Sequence, residues 1–272
     1  MKMTTTNYPF SLRYAAQADL VAVTAEMLRS PQSISKQSLA AWFTIPAANF
    51  LPLIEAACMP PHESDAVDDE LLTRIASLKQ LFLELHRAAA LLDVEDWSDE
   101  YWRLFDGTQF CPLNQASYIR RDKGAILGDL AGFYNAFGWQ HNPNNGERPD
   151  HLLSQLEFTG MLLAMEATAA SDAQCEIVNE ALAQFNRVHM SDWLPSVCNQ
   201  LHAATSLPYF ELVSRWLWSL WETLAKLNSW PSDQPSPSIL SPRLDPEDPY
   251  ECGAPDVVTL QATATPAVYR EG

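Results

Sequence analysis

Apolar side chains return at every third or fourth position along most of this chain, the spacing that gathers them on one face of an α-helix. Leu12, Ala16, Leu20, Val23 and Met27 mark a first helix that ends before Pro31. Shorter patterns cover residues 35–43 (SKQSLAAWF) and 48–57 (ANFLPLIEAA). The broadest stripe runs from Asp68 to Leu92, through Leu71, Leu72, Ile75, Leu78, Leu81, Phe82, Leu85 and Ala89. Asp68, Asp69 and Glu70 stand at its start, where the helix dipole favours negative charge.

Residues 97–105 (WSDEYWRLF) read as a short helix with Ser98 or Asp99 as N-cap. Residues 108–121 (TQFCPLNQASYIRR) have no period and contain Pro112, which predicts a loop. Helical spacing resumes over 122–139, breaks at 140–149 (QHNPNNGERP), and returns four times. The predicted helices run from Asp150 to about Ala170, Asp172 to about Val188, Asp192 to about His202, and Pro208 to about Leu227. Pro208 suits the first turn of the last, where a missing N–H costs nothing. No alternating strand pair and no internal repeat interrupts the series. The expected fold is all-α, one helical domain of nine to ten helices over residues 1–227, with N-terminal helices in 1–95 and a second half in 96–227. From Asn228 the pattern stops, and residues 228–272 hold eight prolines. They predict an extended tail, either disordered or lying along the helical body through Ile239, Leu244 and Tyr250, with docking favoured for its first half.

Charge narrows the function. Seventeen basic against 34 acidic residues give −17 over 272 residues, which argues against a nucleic-acid binder and suits a neutral or basic partner. No apolar run reaches membrane-span length, and the N-terminus lacks the apolar core of an export signal, so a cytoplasmic protein is expected. Five scattered cysteines without a C-x-x-C read as reduced thiols. No metal site is expected: Glu-x-x-His is absent, and Cys198 with His202 is half a site without a partner pair. No phosphate-binding glycine loop and no nucleophile elbow occurs, so no cofactor is expected and a catalyst would have to assemble its site without a local signature.

Two stretches remain to be explained. In GERPDHLLSQLEF, residues 146–158, Asp150 and His151 open a helix. As N-cap, Asp150 would accept from the N–H of Leu152 or Leu153. Ser154, Glu157 and Met161 then share its face, while Leu152, Leu153, Leu156 and Leu163 form the core stripe. This is either a capped helix with a solvated face or the polar wall of a groove. In EYWRLFDGTQFCPLNQASY, residues 100–118, aromatic groups lead out of a helix into an irregular loop. Tyr101 and Phe105 either plug a core or line a binding loop.

Together the two stretches resemble the TorD/DmsD family of redox-enzyme maturation chaperones, relatives of the NarJ-type nitrate reductase assembly proteins. The resemblance rests on Tyr101, Leu104, Phe105 and Gly107, then Pro112, Ser117 and Tyr118, then Glu147, Asp150 and His151. Trp193, Pro208 and Tyr209 extend it to about Leu227. Thr108 stands where the family often has proline, and Asn114 and Gln115 replace its Pro–Pro–Trp loop. The resemblance implies a non-catalytic cytoplasmic chaperone whose partners are the apo catalytic subunit of a molybdenum-cofactor oxidoreductase and its twin-arginine signal peptide. Client-binding residues would be the ten motif residues and Glu157. Asp150 and Glu157 would meet arginine, and Tyr101, Phe105 and Tyr118 the apolar segment. Two alternatives stand beside this: a delta-type subunit retained in the mature enzyme, and a nucleotide-hydrolysing helical enzyme.

Overall fold

A computed structural model describes residues 8–31, 45–60, 69–106, 110–119, 121–140 and 148–231. The helix expected at 35–43, Gly107, Glu147 and the tail beyond Pro231 lie outside the described residues. Nine α-helices occur among those described: α1 (Tyr8–Met27), α2 (Leu51–Ala57), α3 (Asp69–Ala90), α4 (Val94–Phe105), α5 (Lys123–Ala136), α6 (Leu152–Ala167), α7 (Asp172–Phe185), α8 (Leu194–Ala204) and α9 (Pro208–Leu227). The fold is all-α, as the periodicity predicts.

Local chemistry sets most boundaries. Asp122 caps α5 by accepting from Ala125 N at 2.8 Å, and Ser171 caps α7 by accepting from Gln174 N. Gly138, at φ +67°, closes α5 in the left-handed conformation that lets Trp139 N reach back to Tyr134 O at 2.9 Å. The start of α4 differs from expectation. Asp93, not Ser98 or Asp99, is the N-cap, accepting from Glu95 N and Asp96 N. The helix gains a turn, and that turn swings Trp97 into the core.

α1 packs between α6 and α2, α3 lies antiparallel on α9, and α6–α7 and α8–α9 form hairpins. The α1–α6 and α3–α9 contacts cross from residues 1–95 into 96–227. The crossing is reinforced by a buried hydrogen bond from Trp216 Nε1 to Thr24 Oγ1 at 2.9 Å, while Gln17 Nε2 ties α1 to α2 by donating to Ala57 O at 2.9 Å. Trp193, Trp216, Tyr118, Tyr209, Phe158, Phe185 and Phe210 are the largest fully buried side chains. After α7 the backbone widens into one π-helical turn, Asn186–Met190, closed by Ser191 N to Asn186 O at 2.8 Å. Such turns insert an extra residue and often mark sites that need one side chain re-aimed. Here the turn directs Asn186 and His189 inward. Beyond α9, Trp230 folds back on Trp221, and Asn186 Nδ2 donates to Pro231 O at 3.0 Å.

Candidate functional site

The loop at 110–119 is stitched to the entrance of α6. Gln115 N donates to Asp150 O at 2.9 Å and Leu152 N to Leu113 O at 2.7 Å, making an isolated antiparallel bridge between Asn114 and His151. The two stretches that stand out in the sequence are therefore one structural unit.

Asp150 is fully buried. It does not cap α6. Its Oδ2 accepts from Ala116 N at 3.1 Å and from Arg148 Nη2 at 2.7 Å, and its Oδ1 accepts from Asn114 Nδ2 at 3.2 Å. His151 is the N-cap, its Nδ1 accepting from Leu153 N at 3.2 Å. A carboxylate taken out of water needs several donors, and here two come from the loop and a third, charged one from Arg148. Ser154 is also buried, so the expected solvated face shrinks to Glu157 and Met161, both half-buried. Glu157 is bound by Arg29 at 2.6 Å, and Arg29 also holds Glu26. Both acids expected to meet a partner's arginine are thus engaged by arginines of this chain.

The remaining motif residues divide by burial. Tyr101, Leu104, Pro112 and Tyr118 are buried, so they pack behind the loop. Tyr101 hydroxyl donates to Leu28 O at 3.3 Å, and Tyr118 packs 5.6 Å from the Trp193 ring. Phe105, Ser117 and His151 are half-buried, and Phe110, which the motif reading passed over, is exposed. Phe105 stacks edge-on with Tyr101 and Phe210, while the Arg103 guanidinium covers one face of Phe110 at 5.3 Å.

Behind the loop runs a chain of buried side chains that the motif reading did not anticipate. Gln155 Nε2 donates to Gln115 Oε1 at 2.8 Å, and Gln115 Nε2 donates to Val188 O. Trp193 Nε1 donates to Gln155 Oε1 and to His189 O. His189 Nδ1 lies 3.2 Å from the same Gln115 Oε1, so that nitrogen carries the proton and donates. Burial pushes the His189 imidazole down to about 4, which keeps it neutral, and its ring packs 5.5 Å from Phe133 and 5.3 Å from Phe185. The available signal was Gln155 inside an apolar helical run and the i, i+4, i+8 series Phe185, His189, Trp193.

A second clamp lies at the end of α4. Glu100 accepts from Arg103 at 2.6 and 2.8 Å, from Ser206 N at 2.6 Å and from Thr205 Oγ1 at 2.9 Å. Burial alone would raise its carboxyl, yet the donors from Arg103, Ser206 and Thr205 hold it down at about 2.

Nucleophilic chemistry finds little footing. Burial pushes the Cys58 and Cys111 thiols up to about 12 and Cys198 higher still, so none is a ready thiolate. Cys198 is buried while His202 is exposed. Among the described residues no group of three His, Cys, Asp or Glu side chains is placed to hold a metal, and no helix is long and apolar enough to cross a membrane.

The fold and this site define an all-helical binding scaffold, with a rim loop pinned to a helix entrance. Residues 64–199 match the family described as the nitrate reductase delta subunit. That is half of the chain, and the chain belongs to this family. The redox-enzyme maturation resemblance carried by Tyr101 to His151 is shown at that level. Over 109 residues the chain is 33% identical to the chlorate reductase assembly chaperone protein of Ideonella dechloratans, covering 38% of this chain and 56% of that protein. Over 85 residues it is 34% identical to the selenate reductase assembly chaperone protein of Thauera selenatis, covering 31% and 44%. The matched stretches thus span about half the length of these relatives. No solved structure matches the chain.

Proposed function

We propose that this protein is a cytoplasmic, non-catalytic chaperone that binds the apo catalytic subunit of a molybdenum-cofactor oxidoreductase. It engages that subunit's twin-arginine signal peptide and delays export until the cofactor is inserted. The observation that carries the reading is the Asp150 clamp: it joins the family's two motif stretches into one rigid rim, as a preorganised recognition loop requires. The buried motif residues Tyr101, Leu104, Pro112, Tyr118 and Asp150 position the rim. Phe105, Phe110, Ser117 and His151 are the surface offered to the client, with Glu157 beyond them.

A signal peptide has a basic end and an apolar middle. The apolar middle fits the step formed by Phe105 and Phe110, and that contact sets affinity. The excess of 17 acidic residues over basic ones steers the basic end inward and speeds encounter. Of the two acids expected to meet arginine, Asp150 and Glu157, Glu157 is the accessible one, and a client arginine would exchange there with Arg29. Exposed exchanges of this kind are worth about 1 kcal/mol or less.

The test is a pull-down of tagged full-length protein from its native cells, with mass spectrometry and molybdenum analysis. A single large oxidoreductase subunit should come down without metal, and Phe110→Ala should lose it while keeping helical content. Recovery of nothing, or wild-type recovery by both Phe110→Ala and His151→Ala, sinks the proposal. A second reading is favoured by the family's own description as a subunit: if the metal-loaded enzyme is what co-purifies, the chain is an accessory subunit retained in the mature complex.

A further inference from the structure

The π-helical turn between α7 and α8 is held from two sides. Asn186 and His189, three residues apart within it, are both buried yet bond to different parts of the chain. Asn186 serves the α9 side: its Oδ1 accepts from Trp221 Nε1 at 2.8 Å, and its Nδ2 donates to Pro231 O at 3.0 Å. His189 serves the rim side, its Nδ1 lying 3.2 Å from Gln115 Oε1. In a regular α-helix residues three apart share a face, ~60° from each other. The extra residue of the wide turn spreads them, so one turn reaches the rim and the segment after α9 at once.

The backbone of the turn takes part as well. Val188 O accepts from Gln115 Nε2 at 3.3 Å, and His189 O accepts from Trp193 Nε1 at 2.6 Å. Widening a helix to i→i+5 spacing moves carbonyls off their α-helical donors. Here two of them are answered by side chains, and one of those belongs to the rim. A carbonyl that loses such a donor is costly until it finds another, and the nearest is the backbone N–H of α-helical spacing. The wide turn therefore has a tightened alternative, against which Gln115 holds it open. Tightening brings Asn186 and His189 back towards one face, and that rotation cannot keep the bonds to Trp221 and Pro231 together with the bond to Gln115.

We propose that the Asn186–Met190 turn is a two-position coupling between the rim and the segment Asn228–Pro231: wide, it holds both, and tightened, it loosens both. That segment is itself fastened by Trp230, which packs 5.7 Å from Trp221 and whose N–H donates to Ala225 O at 2.9 Å. Whatever displaces Gln115 from Val188 O loosens Trp230. Whatever lifts Trp230 and Pro231 from Trp221 and Asn186 loosens the rim, because a coupling between two sites is reciprocal. As a control on client binding, this rests on the rim being the client's site. As a coupling inside the molecule it does not, so it is tested with no client present.

The experiment is hydrogen–deuterium exchange with mass spectrometry on the full-length chain. The rim is read at Gln115 and Ala116, whose amides bond Asp150, and the other end at Trp230, whose amide bonds Ala225 O. Trp230→Ala should speed rim exchange, and Gln115→Leu should speed exchange at Trp230, each by at least about fivefold. Thr24→Val, which removes a buried α1–α9 hydrogen bond away from the turn, gauges general weakening and should do neither. In an Asn186→Leu background the turn no longer holds Trp221 and Pro231, so Trp230→Ala should add nothing further at the rim. Should Trp230→Ala not fold, Trp230→Phe makes the same comparison with a smaller ring. Rim exchange no faster in the Trp230 variant than in Thr24→Val overturns the coupling. So does a Trp230 amide unmoved by Gln115→Leu, or a rim that still responds to Trp230→Ala once residue 186 is leucine.

Discussion

Two buried carboxylates, Asp150 and Glu100, are built alike and do different things. Each accepts one backbone N–H, one neutral side chain and one arginine: Ala116, Asn114 and Arg148 for Asp150, and Ser206, Thr205 and Arg103 for Glu100. Glu100 fastens α4 to the turn between α8 and α9, and it reaches the surface only through Arg103, whose guanidinium lies over the Phe110 ring. Asp150 fastens a loop to a helix. Its neighbour Gln115 then carries the connection inward to Gln155, His189 and Trp193. The same local device is a staple in one place and the foundation of a surface loop in the other. Chemistry at the carboxylate does not separate the two roles; what the carboxylate holds does.

The largest expected effect that would break this comparison is on stability. Asp150→Ala and Glu100→Ala each strand an arginine and a backbone N–H, which should cost about 3–5 kcal/mol in denaturant unfolding. If the comparison is sound, Glu100→Gln, which keeps a side chain beside Arg103, costs less client recovery at matched folding than Asp150→Asn, which likewise keeps the volume. Equal effects of the two on recovery would erase the distinction.

Acid should separate the regions next. His189 is held neutral at about 4 in the folded chain against an ordinary value near 6.5. The unfolded chain takes up that proton first, so stability is full above pH ~6.5 and falls as pH drops towards 4, by up to about 3 kcal/mol. Glu100 sits at about 2 when folded against about 4.3–4.5 unfolded. Its stabilisation is present above that range and disappears as pH falls through 2, again up to about 3 kcal/mol. Urea midpoints measured from pH 8 to 2 should show two descending limbs. His189→Phe should flatten the upper one and Glu100→Gln the lower, and a single limb removed by neither variant would contradict both assignments.

Gln155→Leu is a smaller perturbation, about 1–2 kcal/mol, because Gln115 loses a donor while Trp193 Nε1 keeps His189 O. It should nevertheless increase amide exchange at residues 113–117, which a merely local defect in α6 would not do. Smallest is His151→Ala. Losing the N-cap costs about 1 kcal/mol, and His151→Asn, itself a good cap, should restore stability without restoring any client contact made by the imidazole.

The helices themselves were legible because an α-helix is a local object: the stripe through Leu71, Leu78, Leu85 and Ala89 and the break before Pro208 are written in neighbouring residues. Where expectation slipped, long-range terms had won. Asp150 reads as an N-cap from its own segment, yet a loop more than thirty residues upstream offered it two donors, and Arg148 beside it a third. Whether Tyr101 plugs a core or lines a loop is not written in its own segment either, because burial is a property of everything packed around it.

The sequence by itself determined that the chain is helical, that it is acidic, and that Tyr101 to His151 carries the marks of a redox-enzyme maturation family. Those are sums over local spacing, composition and motif order. Only the tertiary structure decided that the two motif stretches are one clamp, that Arg148 and Arg29 already answer the acids, and that Gln115, Gln155, His189 and Trp193 form a line beneath the rim. A buried polar group is stable only beside partners that satisfy it, and which partners arrive is settled by how distant segments pack.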